Sequence, residues 1–117
     1  QGRPFERVHP PEENAVIYVY RPYNYAGSLL RPAVTCGEET ARIGPGGYHA
    51  FVVRAGETVD CSAHTETADV VEIHTEPRVY YIREEIGWGL LTGHPHLNPV
   101  DVDTAQNEIQ RCCVQEQ

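Results

Sequence analysis

Six histidines, four cysteines and seventeen carboxylates are the groups in this 117-residue chain that can hold a metal or move a proton. His94 and His96 flank Pro95. On an extended chain both point the same way, with Cα atoms ~6.6 Å apart. Two imidazoles can ligate one ion at that spacing, but a site needs a third ligand and usually a fourth. Asp101 or Glu85 would have to supply one. A hydrated loop carrying two histidines is the plainer reading, so no metal and no other cofactor is expected. A hairpin turning at Thr67 would set His74 opposite Asp60 and His64 opposite Val70. The rings would then lie ~13 Å apart along the strands. They cannot share an ion, and Asp60–His74 is the expected surface pair.

Glu84 and Glu85 are adjacent, so on a strand they face opposite ways and make no acid/base pair. The segment that carries them is expected to run into polar surroundings. Cys61 and His64 likewise project to opposite faces of one strand, which separates any thiolate from its imidazole. The chain has no G-x-S-x-G, H-E-x-x-H or P-loop. No catalytic residues are expected, and the chain reads as a non-enzyme.

The cysteines are Cys36, Cys61, Cys112 and Cys113, without a C-x-x-C. Zinc-ribbon and thioredoxin-type sites therefore lack support. An even count in a small chain favours an oxidising compartment. Cys36 and Cys61 both fall on apolar strand faces and are the expected bridge. It would close a loop of about 25 residues, worth ~3 kcal/mol in the chain-entropy account. Cys112 and Cys113 are free, joined to each other under strain, or joined to another chain. Four reduced thiols are the alternative. The chain begins at Gln1 and contains no Met, which suggests a processed N-terminus.

These groups are positioned by short strands. Residues 15–20, AVIYVY, are continuously apolar and read as a central strand buried on both faces. Residues 29–36 are a strand candidate that Pro32 places near an edge. Residues 40–43, 48–53, 58–64, 70–75 and 79–82 follow, separated by Gly37, by Gly44-Pro45-Gly46-Gly47, by Ala55-Gly56-Glu57 and by Pro77. Residues 58–64 alternate cleanly, with Val59, Cys61 and Ala63 inward. Residues 87–93 read as a glycine-punctuated strand or bulge, and residues 94–100 hold two more prolines. Asp101 or Asp103 caps a short helix running through Ala105 and Ile109 to Cys112.

The expectation is a mainly β chain: an antiparallel β-sandwich of about seven short strands with a short C-terminal helix. Residues 1–14 form an extended Pro-containing arm, residues 15–102 the sandwich, and residues 103–117 the helix and a Cys-containing tail. The formal net charge of −8, with all nine cations Arg, excludes nucleic acid as a ready partner. No window approaches the ~20 apolar residues of a membrane span. Tyr23 and Tyr25 sit in a loop beside Arg21, and Trp88 lies between glycines. Such residues anchor interfaces or stack on sugars; packing in the core or its rim is the plainer role.

Residues 15–22 (AVIYVYRP), Gly27-Ser28, Gly47-Tyr48, residues 79–83 (VYYIR) and residues 87–101 (GWGLLTGHPHLNPVD) together resemble the bacterial domain of unknown function 2846 family. The resemblance spans about residues 15–110. It implies an exported protein of the cell envelope, in the periplasm or at the outer membrane or cell surface. Family members are often lipoproteins, which would place a lipid anchor upstream of Gln1. The family supplies no catalytic residues to carry over.

The expected function is a non-enzymatic structural or interaction module of the envelope, an accessory subunit of a larger assembly. It would bind other envelope proteins or itself through its arm, its edge strands and its Cys112-Cys113 tail. The alternative is a module binding glycan or peptide through Tyr23, Tyr25 and Trp88.

Overall fold

A computed structural model describes residues 13–22, 31–64, 68–87 and 94–115. Its elements are β1 Asn14–Arg21, β2 Ala33–Cys36, β3 Glu39–Arg42, β4 Gly47–Arg54, β5 Thr58–His64, β6 Ala68–His74, β7 Val79–Gly87, β8 His94–Val100, α1 Val102–Cys112 and β9 Val114–Gln115. They build a five-stranded sheet, β8-β7-β1-β4-β9, and a four-stranded sheet, β3-β2-β5-β6. The chain is mainly β and sandwich-like, with one short C-terminal helix. Most neighbours are antiparallel, but β1–β7 and β4–β9 are parallel.

β1 sits at the centre of the larger sheet, and its alternation feeds two cores. Ile17 and Val19 point between the sheets with Val34, Phe51, Cys61 and Ile82. Val16, Tyr18 and Tyr20 point the other way, against Ala105 and Ile109 of α1. An uninterrupted apolar run is what a strand covered on both faces requires.

The helix is set by its own ends. Asp101 takes the N-cap and accepts from the Thr104 N–H at 3.0 Å. Asp103 in the first turn and Arg111 in the last suit the helix dipole. Ala105 and Ile109, four apart, form the buried stripe.

Polar contacts dock α1 onto the sheet. Tyr18 stacks on Tyr81, ring centroids 5.4 Å apart, and lies 5.7 Å from Tyr48. Burial pushes its hydroxyl up to about 12. Gln106 donates to the Tyr81 oxygen at 3.1 Å. The buried Tyr20 hydroxyl donates to Glu108. Arg83 grips the same carboxylate with two nitrogens, Nε at 3.0 Å and Nη2 at 2.8 Å. Partial desolvation works the other way, but the donations of Tyr20 and Arg83 hold Glu108 below its ordinary value.

Several expectations need correction. Nine strands are present among the described residues, not about seven. The hydrated loop expected around His94 and His96 is instead the strand β8, because an edge strand tolerates proline where no N–H is needed. Pro32 does not put β2 at an edge, because it precedes the strand and β2 lies between β3 and β5. The β5–β6 hairpin is two residues tighter than expected. His74 lies opposite Thr58, Asp60 opposite Glu72 and His64 opposite Ala68. The Asp60–His74 pair is therefore absent, and Thr58 Oγ1 lies 2.9 Å from His74 Nδ1 instead. β1 begins at Asn14, inside the span read as arm, and residues 1–12 fall outside the described residues.

Glu108→Ala strands the buried Tyr20 hydroxyl and leaves Arg83 with its 3.5 Å pair to Glu85. Urea denaturation should show a loss of about 1–3 kcal/mol. An unchanged midpoint would mean that the triad does not hold the helix.

Candidate functional site

A sandwich exposes the outermost strand of each sheet, and unpaired N–H and C=O groups there invite another chain. Most of these margins are closed. On β8 the Leu97 N–H turns away from β7 and donates to Asp69 Oδ2 at 2.8 Å. By the alternation of the ladder, Pro95 and Pro99 face the same outer side, where proline has no N–H to leave unpaired. β6 packs alongside β8. β3 is four residues long, with Glu39, Thr40 and Arg42 exposed.

β4 is the exception. β9 covers it only at Gly47 and Tyr48. The Ala55 N–H bonds to the Glu13 carbonyl at 2.9 Å, and these residues continue the β1–β4 register. Odd-numbered residues of β4 therefore face β1, and even-numbered ones face out. The N–H and C=O groups of Ala50 and Val52, and the Arg54 N–H, meet no strand among the described residues. The Val52 side chain is 57 % exposed, unusual for a β-branched residue of this core-building segment.

Beside this edge runs a groove of about 680 Å³. Its floor is apolar, from Cys36, Val53 and Val59, and its rim carries Glu38, Glu39 and Glu57. Among the described residues Arg54 is the one arginine that lines it. The upper end is tied by His49 Nε2 and Glu39 Oε2, 2.6 Å apart. At the lower end the Thr75 hydroxyl lies 2.9 Å from the Arg54 carbonyl and 2.8 Å from that of Glu57. Gly37, at φ 63°, makes the tight turn that brings Glu38 and Glu39 to the rim. A Cβ there would sit 3.6 Å from Val53 Cγ1.

The cysteines anchor the floor. Cys36 and Cys61 are directly opposed on β2 and β5, Cα atoms 4.1 Å apart, within disulfide distance. The Gly37 N–H bonds to the Asp60 carbonyl at 3.2 Å. That makes Cys36/Cys61 a non-hydrogen-bonded pair, the position where Cα atoms approach most closely. Cys112 and Cys113 pair with each other at the end of α1.

The other residues singled out in the sequence do not converge. Tyr23, Tyr25 and Trp88 lie outside the described residues. His94 opens β8, and the exposed His96 lies opposite Glu85. Glu85 instead accepts from Asn98 Nδ2 at 3.1 Å. Among the described residues no group of three or more His, Cys, Asp or Glu is placed to hold a metal ion.

Glu84 corrects another expectation. It points between the sheets rather than into polar surroundings, fully buried, with neither oxygen hydrogen-bonded. The β1–β7 register places the buried Arg21 beside it, and Arg21 Nη1 donates to the Ile43 carbonyl at 3.0 Å. Burial raises the Glu84 carboxyl to about 7, while the Arg21 charge pulls it down. With no exposed atom, this carboxyl touches no solute.

No protein-family model matches the chain, and no curated protein or solved structure matches it significantly.

Glu84 fixes the sign of a pH dependence. Its folded value, about 7, lies above the ordinary 4.5, so the fold favours the protonated form. The associated stability is complete below pH 4.5 and is lost as pH rises through 7. Over that window the loss is about 3 kcal/mol. Glu84→Gln should flatten the profile and exceed the parent in stability at pH 8. Parallel profiles for parent and variant would remove Glu84 as the cause.

Proposed function

We propose that the chain is a non-enzymatic interaction module of the bacterial cell envelope, an accessory subunit that joins a larger assembly through β4. The observation that carries this reading is the backbone edge at Ala50 and Val52, which meets no strand among the described residues, where β8 is blunted and β3 is only four residues long. A chain that blunts β8 with two prolines and a carboxylate, yet leaves β4 uncovered beyond Tyr48 among the described residues, presents β4 to a partner. The envelope assignment draws on two supports. One is the disulfide-distance pair Cys36/Cys61 buried between strands, which suits an oxidising compartment. The other is the resemblance to the domain of unknown function 2846 family. A lipid anchor upstream of Gln1 belongs to the same proposal.

A second reading has one observation in its favour. β1 and β7 are parallel neighbours, so Pro22 and Gly87 leave the sheet at the same end. Tyr23, Tyr25 and Trp88 come after these two residues in the chain. A glycan- or peptide-binding module would use them. Trp88 is the chain's single tryptophan, so its fluorescence reports directly; a flat response across cell-wall sugars and peptides retires this reading.

Photo-crosslinking in the producing cells tests the main proposal. A crosslinker at Val52 should yield a discrete adduct. One at Val70, equally exposed at 56 % on the smaller sheet, should not. Equal yields, or none at either position, would remove β4 as the contact. Thiol labelling of the same cells after denaturation should find Cys36 and Cys61, both fully buried in the fold, unreactive until reduced; free thiols there would exclude the oxidising compartment.

A further inference from the structure

Resting on the reading of β4 as the contact edge, we infer that the partner is an extended segment whose side chains alternate basic and apolar. It pairs as an added strand along residues 50–54. The lane is bounded by β9 at Gly47 and Tyr48 and by the Thr75 tie at Arg54. Between them the edge admits about five residues at ~3.3 Å each. An added strand sends alternate side chains to opposite faces. One set lies beside the exposed Val52 on the outer face, which favours apolar, β-branched residues. The other set enters the groove, where the floor is Cys36, Val53 and Val59 and the rim is Glu38, Glu39 and Glu57. Long cationic side chains match that profile: their methylenes cover the floor and their heads reach the carboxylates.

Charge also decides against a second copy as the occupant. Two β4 edges paired together would bring both glutamate rims to one seam, with Arg54 and the Glu39–His49 contact from each as the offsets among the described residues. The whole chain carries −8 as well. Like charges directly across a strand pair destabilise it.

Amide chemical shifts of the full chain test this with synthetic peptides. An Arg-Val-Arg-Val-Arg-Val peptide should shift the amides of Ala50, Val52 and Arg54 saturably. Its Glu-for-Arg analogue and a block-ordered peptide of the same composition should not. E38Q/E39Q/E57Q should weaken binding at least threefold and flatten its salt dependence. Methylating the peptide nitrogens that face β4 should abolish binding, whereas methylating the alternate nitrogens should leave it. This arm needs no variant that might fail to fold.

Shifts produced equally by the acidic or block-ordered peptide would overturn the alternating basic class. Shifts that track protein concentration without any peptide would assign the edge to a second copy and also overturn it. If no peptide binds while the Val52 crosslink persists, the partner class is wrong and the edge reading stands. If both are absent, the edge reading fails with it.

Discussion

Burial of β1 on two faces organises this molecule. A strand covered on one side only would need a polar residue at every second position, and β1 has none between Ala15 and Tyr20. Ile17 and Val19 require the smaller sheet, and Val16, Tyr18 and Tyr20 require the helix. The order of layers follows: four strands, five strands, then α1. β4 and β7 are the flanks that complete the central sheet, and β8 and β9 lie outside them.

One half-buried carboxylate and one fully buried one show how such layers treat charge. Glu108 faces the helix–sheet seam and is fully engaged by Tyr20 and Arg83. Its ion is held by donors, so it strengthens the seam. Glu84 lies one residue beyond Arg83 on the opposite face of the same strand. It has Arg21 beside it but no hydrogen bond. There the medium decides, and the carboxyl gives up its charge more readily than it keeps it. Adjacent positions on one strand thus carry opposite electrostatic outcomes because the pleat sends them into different layers.

The edges show a similar contrast. Asp69, Pro95 and Pro99 remove every outward donor of the central part of β8, while β4 keeps its own. The groove beside β4 owes its acidic rim to local turns. Gly37 folds Glu38 and Glu39 over the margin, and the Gly56 turn delivers Glu57. The neighbouring Cys36/Cys61 pair holds the two central strands of the smaller sheet together beneath it.

Local pattern was sufficient for much of this. The alternation in residues 58–64 announced β5 residue for residue, with Val59, Cys61 and Ala63 inward. The unbroken run in β1 announced its double burial, and Asp101 with Ala105 and Ile109 announced α1. Each of these signals depends on neighbours a few positions away, so composition and spacing suffice. The site was less legible. The sequence named edge strands in general, but which strand ends at an edge depends on pairings between distant segments. Pro95 and Pro99 looked like loop residues because their missing N–H groups are harmless only on the outer side of a margin strand. Glu84 looked polar because nothing local reveals which face of β7 meets the other sheet. The hairpin register of β5 and β6 was two residues off, since period two is satisfied by either register. Short-range pattern thus sets the inward faces of β1 and β5 and the helix N-cap. Which margin is left uncovered among the described residues, and which carboxyl is buried, depend on layers assembled from residues far apart in the chain.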